Sequence, residues 1–161
     1  MPNLIELEQD GDAQLELQFQ NAKICFKNLR NPTMALDALK PLIASEPFFD
    51  GALELLLEIG QQSRQWEVVA ELLSVGADEP SLAGNTEGYL VHVLELANIY
   101  AEKLRNEPES IRRYQQVLEQ DEHNETALDA LEHLFEKTER WFELLQIIEI
   151  RTELLLSLIH I

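Results

Sequence analysis

The sequence predicts an all-α fold, on the strength of its composition, the helical spacing of its apolar residues and an internal repeat. Leu, Glu, Ala and Gln are abundant among the 161 residues, whereas Gly and Pro number only six each. This composition favours helices over strands, because those four residues have high helix propensity and Gly and Pro interrupt helices. Apolar residues make up 45% and charged residues 26% of the chain, as is usual for a globular chain with a buried core.

The repeat becomes visible when the chain is aligned with itself so that Leu15 matches Leu90. The register then holds without a gap from about Gln14 to Leu73, with conservative apolar pairs such as Leu36 and Ile111 between the identities. A fixed period of this kind indicates a repeat architecture. The identical pairs are Leu15/Leu90, Ala22/Ala97, Ile24/Ile99, Leu29/Leu104, Arg30/Arg105, Asn31/Asn106, Ala52/Ala127, Leu53/Leu128, Leu56/Leu131 and Trp66/Trp141.

Each 75-residue unit is predicted to contain four helices in two hairpins. In the second unit, apolar residues recur at helical spacing from Leu90 to Leu104 and again around Ile111. A further helix is predicted to begin at Trp141, and the first unit follows the same plan. Pro41 lies within the second helix of the first unit and is expected to kink or shorten it.

The motif Leu-Arg-Asn ends the first helix of each unit, at positions 29–31 and again at 104–106. Asn31 and Asn106 are expected to cap the helix that follows, because an asparagine side chain accepts a bond from a free amide of the first turn. Arg30 and Arg105 suit a helix C-terminus, where a cation interacts favourably with the dipole. The motif is therefore interpreted as a corner between two helices, with a binding role for the arginine pair as the alternative.

Small residues recur at two positions of each unit, and a tryptophan opens its last helix: Ala22/Ala97, Ala35/Ser110 and Trp66/Trp141. This pattern resembles the tetratricopeptide repeat, in which helix pairs of about 34 residues stack into a superhelix. The chain departs from the family pattern at several aromatic and proline positions, which hold Cys25, Leu39, Gly60 and Glu122. Related helical-hairpin solenoids, including the half-a-repeat type of RNA-processing scaffolds, are the alternative.

The resemblance implies a right-handed α-solenoid of about four hairpins that works as a scaffold for protein–protein interaction. Family members hold a peptide or a partner helix on a concave face, which is lined by the first helix of each pair. By that geometry the expected partner-binding residues are Glu16, Phe19, Lys23, Phe26, Lys27, Glu54, Glu58, Gln61, Leu94, Asn98, Glu102, Asp129, His133 and Lys137.

The charge balance restricts the class of partner. Thirty acidic residues against twelve basic ones give a formal net charge of −18 and a pI near 4.4. Nucleic acids and anionic membranes are bound through clustered Lys and Arg, so neither is expected as a partner. A protein or peptide partner, and a basic one in particular, is favoured instead.

Sequence signals of catalysis are missing, and no catalytic, cofactor-binding or metal-binding residue is predicted. The chain contains no GxxxxGK[ST], GxGxxG or GxSxG motif. Its four histidines do not form an HExxH motif, and His123 and His133 have no cysteine companion for a zinc site. Cys25 lies between Ile24 and Phe26, where a thiol behaves as a small apolar group. We therefore expect a protein that is not an enzyme and needs no cofactor.

Five segments are expected: an N-terminal extension (1–11), a first unit of two hairpins (12–75), an inter-unit loop (76–86), a second such unit (87–155) and a tail (156–161). The tail, "LSLIHI", resembles one translated frame of a common transposase-based sequencing adapter. It is expected to be non-native, with the protein continuing past about Leu155. The N-terminal stretch lacks a secretory signal, and no run of about 18 apolar residues occurs, so a cytoplasmic location is expected.

Two alternatives to the scaffold stay open. In the first, the array mediates its own oligomerisation, for which the apolar terminal helix offers a surface. In the second, the chain is a regulatory region of a longer enzyme whose catalytic domain lies beyond the residues present.

Overall fold

The computed structural model of the chain describes residues 4–78 and 86–159, and the side chains of residues 11–78 and 87–159. Within these ranges every regular element is an α-helix, which confirms the all-α prediction. The helices are α1 (Leu4–Lys27), α2 (Pro32–Ser45), α3 (Ala52–Ser63), α4 (Trp66–Ala77), α5 (Thr86–Glu102), α6 (Glu107–Gln120), α7 (Glu125–Lys137) and α8 (Trp141–Ile159).

The chain divides into two compact units, Met1–Pro80 and Ser81–Ile161, with four of the described helices in each. In the first unit α1 packs against α2, and α2, α3 and α4 pack against one another. In the second unit α5 packs against α6, α6 against α7, and α7 against α8. Many repeat-related apolar pairs are buried in both units, among them Leu36/Ile111, Leu42/Val117 and Leu56/Leu131.

Helix boundaries differ from the predicted segments at several points. α1 begins at Leu4 and so includes most of the predicted extension 1–11, because a single glycine such as Gly11 weakens a helix by only about 1 kcal/mol. α4 runs to Ala77 and α5 starts at Thr86, so both ends of the predicted loop 76–86 are helical, while residues 79–85 lie outside the described residues. α8 extends through the predicted tail to Ile159.

Of the two effects expected of Pro41, a kink or a shorter helix, the shortening does not occur. α2 has 14 residues, the same length as its counterpart α6. A proline inside a helix removes the amide that would bond the carbonyl four residues earlier, here that of Asp37. Both Pro41 and Asp37 are exposed, so water can bond this carbonyl and the helix continues.

The turns from α1 to α2, α3 to α4, α5 to α6 and α7 to α8 each hold one non-glycine residue with a left-handed backbone. These residues are Arg30, Arg64, Arg105 and Glu139, with φ of 51°, 59°, 54° and 58°. Arg30 and Arg105 are equivalent positions of the repeat, as are Arg64 and Glu139. The repeat therefore exists in the backbone as well as in the sequence.

The left-handed residue lets amides near the turn bond back to the preceding helix. The Asn31 amide donates to the carbonyl of Cys25 at 2.9 Å, and the Asn106 amide donates to that of Tyr100 at 2.8 Å. The asparagines also cap the next helix, as predicted: the side-chain oxygen of Asn31 accepts from Met34 N at 3.0 Å and that of Asn106 from Glu109 N at 3.3 Å. The Leu-Arg-Asn motif thus ends one helix and caps the next.

Small residues allow the first two helices of each unit to approach closely. Ala22, Ala35, Ala97 and Ser110 are all fully buried. The hydroxyl of Ser110 donates a hydrogen bond to the carbonyl of Ala97 at 2.8 Å, so α5 and α6 touch at these two residues. A larger side chain at any of the four positions would push the helices apart.

The two units fill one equivalent part of their cores differently. In the first unit, a Cβ on Gly60 would stand 2.6 Å from the ring of Trp66, so this ring lies directly over the glycine. In the second unit the counterpart of Gly60 is Phe135, which is buried, and the counterpart of Trp66 is Trp141, which is 58% exposed. The aromatic volume comes from the start of α4 in one copy and from the end of α7 in the other.

Replacing Arg105 with glycine is expected to raise the free energy of unfolding by about 1 kcal/mol, because glycine adopts a positive φ without the steric cost of a Cβ. Urea denaturation followed by circular dichroism measures the change. Gln115→Gly is the matched control, since Gln115 is exposed inside α6. There glycine should lower the free energy of unfolding by about 0.5–1 kcal/mol. Equal losses in the two variants would contradict the assigned strain.

Gly60→Ala is expected to lower the free energy of unfolding by about 1–3 kcal/mol, because its methyl group displaces the Trp66 ring. The displaced ring becomes more exposed, so Trp66 emission should shift to longer wavelength, recorded in a Trp141→Phe background. Gly11→Ala is the control, since a Cβ there meets no atom within 4 Å. That change should stabilise α1 by about 0.5–1 kcal/mol. A Gly60→Ala variant as stable as Gly11→Ala would refute the packing argument.

Candidate peptide-binding groove

A groove of about 470 Å³ lies between α1 and α3 of the first unit. The turn that precedes α3 also lines it. We call this site the α1–α3 groove. It is lined by Glu16, Phe19, Gln20, Lys23 and Lys27 of α1, by Phe49, Asp50 and Gly51 of the turn, and by Glu54, Leu55 and Glu58 of α3.

Helical spacing places these side chains on facing surfaces. Residues 16, 20, 23 and 27 of α1 are three or four positions apart and therefore share one face of the helix. Glu54 and Glu58 are four positions apart and share one face of α3. These two faces, one on α1 and one on α3, form the two walls of the α1–α3 groove.

An aromatic pair forms the base of the α1–α3 groove near the turn. The ring of Phe19 is buried and lies 5.2 Å from that of Phe49, centroid to centroid, in a tilted arrangement. Gly51 has a φ of 91°, and a Cβ on it would stand 2.9 Å from Phe19 Cζ. Only glycine satisfies both conditions, so this turn and the Phe19 ring fit each other. The Lys23 ammonium lies 4.8 Å from the centroid of the Phe19 ring, at the distance of a cation–π contact.

Carboxylates outnumber ammonium groups along the walls. The lining contains Glu16, Asp50, Glu54 and Glu58 against Lys23 and Lys27. The carboxylates of Glu54 and Glu58 form no ion pair or hydrogen bond with any described residue. Glu16 only accepts a bond from the neighbouring amide of Gln20, at 2.8 Å. The site therefore presents negative charge that its own basic residues do not neutralise.

A second pocket, of about 680 Å³, continues along α1 towards its C-terminus. It shares Lys27 and Glu58 with the α1–α3 groove and adds Phe26, Arg30, Pro32, Gln62 and Ser63. The structure thus brings together seven of the residues that the sequence predicted for partner binding: Glu16, Phe19, Lys23, Phe26, Lys27, Glu54 and Glu58. Gln61 is exposed on α3 and lines neither pocket.

The predicted residues of the second unit are arranged differently. Lys137 of α7 pairs with Glu107 of α6 at 2.6 Å, and Asp129 of α7 pairs with Arg151 of α8. Both α7 side chains are therefore engaged with helices other than α5. A pocket of about 640 Å³ among α6, α7 and α8 contains none of the six residues predicted for this unit. The other four are Asn98, Glu102 and His133, which are exposed, and Leu94, which is half-buried.

Sequence reasoning missed the contribution of the turn, residues Phe49, Asp50 and Gly51. The prediction relied on helical spacing and therefore placed binding residues on helices only. Phe49, Asp50 and Gly51 lie in the turn that follows α2. The one sequence signal at this place is the Asp-Gly pair, which is typical of a turn that needs a positive φ.

Two features of the described residues concern metal binding and acid–base chemistry. No group of three or more His, Cys, Asp or Glu side chains that could hold a metal ion occurs within residues 11–78 and 87–159. Burial raises the pKa of Glu95 and of Tyr114, and both residues belong to the second unit, whereas the α1–α3 groove is formed by the first. Among the described helices, none combines the length and apolar character that crossing a membrane requires.

Comparison with known proteins found no significant match for this chain, whether to a protein-family model, to a curated protein or to a solved structure.

Proposed function

We propose that this chain is a non-catalytic protein–protein interaction module whose α1–α3 groove binds a basic segment of a partner protein. The carboxylates of Glu54 and Glu58 carry the proposal. They stand one helical turn apart on the wall of the groove, and neither forms an ion pair or a hydrogen bond with a described residue. A Lys or Arg side chain of a ligand would supply the missing charge.

A tetratricopeptide-like solenoid is the architecture we propose for the module, and two observations support it. The left-handed turn residues Arg30 and Arg64, and again Arg105 and Glu139, are separated by roughly 34 residues, which is the length of one repeat. The small positions of the family pattern are fully buried in both units. Stacked repeats of this kind bind extended or helical segments along the faces they expose.

The lining of the groove also favours particular side chains of the ligand besides its basic residues. Phe49 is half-buried beside Phe19, so one edge of the aromatic pair is accessible to an apolar side chain. Lys23 and Lys27 on the α1 wall face the acids of α3, so an acidic residue of the ligand would fit on that side. The expected ligand is a segment that combines Lys or Arg with one apolar residue, with its basic side chains directed towards the α3 wall.

Selection from a library of short random peptides tests the proposal. The unmodified chain is expected to enrich Lys- and Arg-containing sequences. Glu54→Lys/Glu58→Lys should weaken the binding of an enriched peptide by roughly tenfold, because exposed ion pairs contribute about 0.5–1 kcal/mol each and the new lysines repel the ligand. Fluorescence anisotropy of a labelled peptide measures the affinity.

Glu67→Lys/Glu71→Lys is the matched control. These two glutamates are exposed, lie four positions apart on α4 of the same unit and do not line the α1–α3 groove. The control changes the net charge by the same amount, so it should retain most of the affinity. If both double variants lost affinity equally, the binding would depend on overall charge and not on the groove. Failure of the unmodified chain to enrich any basic sequence would reject the proposal.

A further inference from the structure

The largest group of exposed apolar side chains among the described residues lies on α8. Trp141, Phe142, Leu145, Ile148 and Leu155 are all between 43% and 79% exposed, and Ile147 is the one residue of α8 that is buried. We call these five exposed residues the α8 face. Exposed apolar patches of this extent mark interaction surfaces in proteins.

Four of the five residues of the α8 face form a stripe along the helix, and Phe142 lies beside it. Residues 141, 145, 148 and 155 follow the spacing of three, four and seven that keeps side chains on one side. The stripe covers about four turns, or roughly 20 Å at 1.5 Å per residue, which is the length of an ordinary partner helix. All five residues precede the predicted tail 156–161.

The repeat indicates how this surface is used. In the first unit the counterparts of Leu145 and Ile148 are Ala70 and Leu73 of α4, and both are buried. Leu73 is 1% exposed, whereas Ile148 is 43% exposed. The repeat plan thus buries these two positions, and α8 presents them with larger or equally bulky side chains and without cover. A helix-packing surface of this shape accepts the apolar stripe of another helix.

The charges beside the α8 face are negative. Glu149 and Glu153 are exposed on α8. The two arginines of this region are already engaged: Arg151 pairs with Asp129 and Glu132, and Arg140 pairs with Glu143 at 2.9 Å. If the α8 faces of two chains packed together, their glutamates would repel one another. Each chain also carries a formal net charge of −18, which opposes self-association. A helix with Lys or Arg beside its apolar stripe would pair with these glutamates instead.

We propose that the α8 face docks an amphipathic basic helix of a partner protein. This site belongs to the second unit and is independent of the α1–α3 groove in the first.

Titration with synthetic helical peptides tests the proposal, with Trp141 as the reporter because it belongs to the α8 face. The probe is an amphipathic peptide of Leu and Lys. Its controls are a peptide of the same pattern with Glu in place of Lys, and a scrambled Leu/Lys peptide that has no apolar stripe. The titration is run on the full chain carrying Trp66→Phe, so that Trp141 is the one tryptophan left, and Glu54→Lys/Glu58→Lys, so that the α1–α3 groove does not contribute. The Leu/Lys helix should give a saturable shift of the Trp141 emission to shorter wavelength, and neither control peptide should.

Two double variants test whether the peptide binds to the α8 face in particular or to any exposed apolar surface. Leu145→Ser/Ile148→Ser is expected to weaken binding of the Leu/Lys helix by about tenfold or more, because it removes two docking side chains that are exposed in the free chain. Leu17→Ser/Ile24→Ser removes two exposed apolar residues of α1 and should leave the affinity unchanged. Circular dichroism verifies that both variants remain helical.

Three outcomes would overturn the proposal. One is the absence of saturable binding by the Leu/Lys helix. Another is equal binding to the Leu145→Ser/Ile148→Ser variant, which would mean that charge alone attracts the peptide. The third is a dimer in sedimentation equilibrium, without any peptide, that Leu145→Ser/Ile148→Ser dissociates. In that case a second copy of the chain, and not a basic helix, covers the face.

Discussion

One backbone constraint recurs at each of the four turns between paired helices: a residue that is not glycine is held at positive φ. The conformation costs free energy at Arg30, Arg64, Arg105 and Glu139, and the surrounding bonds offset that cost. It directs the chain from one helix into the next, so that α1 packs against α2 and α5 against α6 through small buried residues. The faces that remain outside these contacts are therefore determined by the turns, and those faces include both proposed binding surfaces.

The two copies preserve this backbone plan while they redistribute side-chain volume. In the first unit the ring of Trp66 lies over Gly60, whereas in the second unit Phe135 is buried and Trp141 is exposed, so the buried aromatic ring comes from the opposite helix of the pair. Their surfaces diverge further. The first unit collects unpaired carboxylates around an aromatic pair, whereas the second engages two α7 side chains in ion pairs and exposes apolar residues on α8. A repeat of one fold thus presents two chemically different surfaces.

Local signals in the sequence predicted the helices and their asparagine caps, because a cap depends on residues only three positions apart. The period predicted which residues are equivalent in the two units. Neither signal revealed that Arg30 adopts a left-handed backbone, since arginine has no preference for it and the neighbouring hydrogen bonds decide. Helical spacing predicted Glu54 and Glu58 as residues of the candidate site but did not predict the turn at residues 49–51, which also lines it. The pairing of Asp129 with Arg151 is a tertiary contact, and a one-dimensional pattern does not contain it.

The central claim is that the α1–α3 groove holds a basic segment. Amide chemical shifts of the isotope-labelled chain, recorded while a Lys- and Arg-containing peptide with one apolar residue is added, test it most directly. The account predicts saturable shifts concentrated in residues 16–27 of α1 and 49–58 of the turn and α3, the segments that line the groove. Shifts confined to the second unit, or spread evenly over the acidic surface, would contradict it.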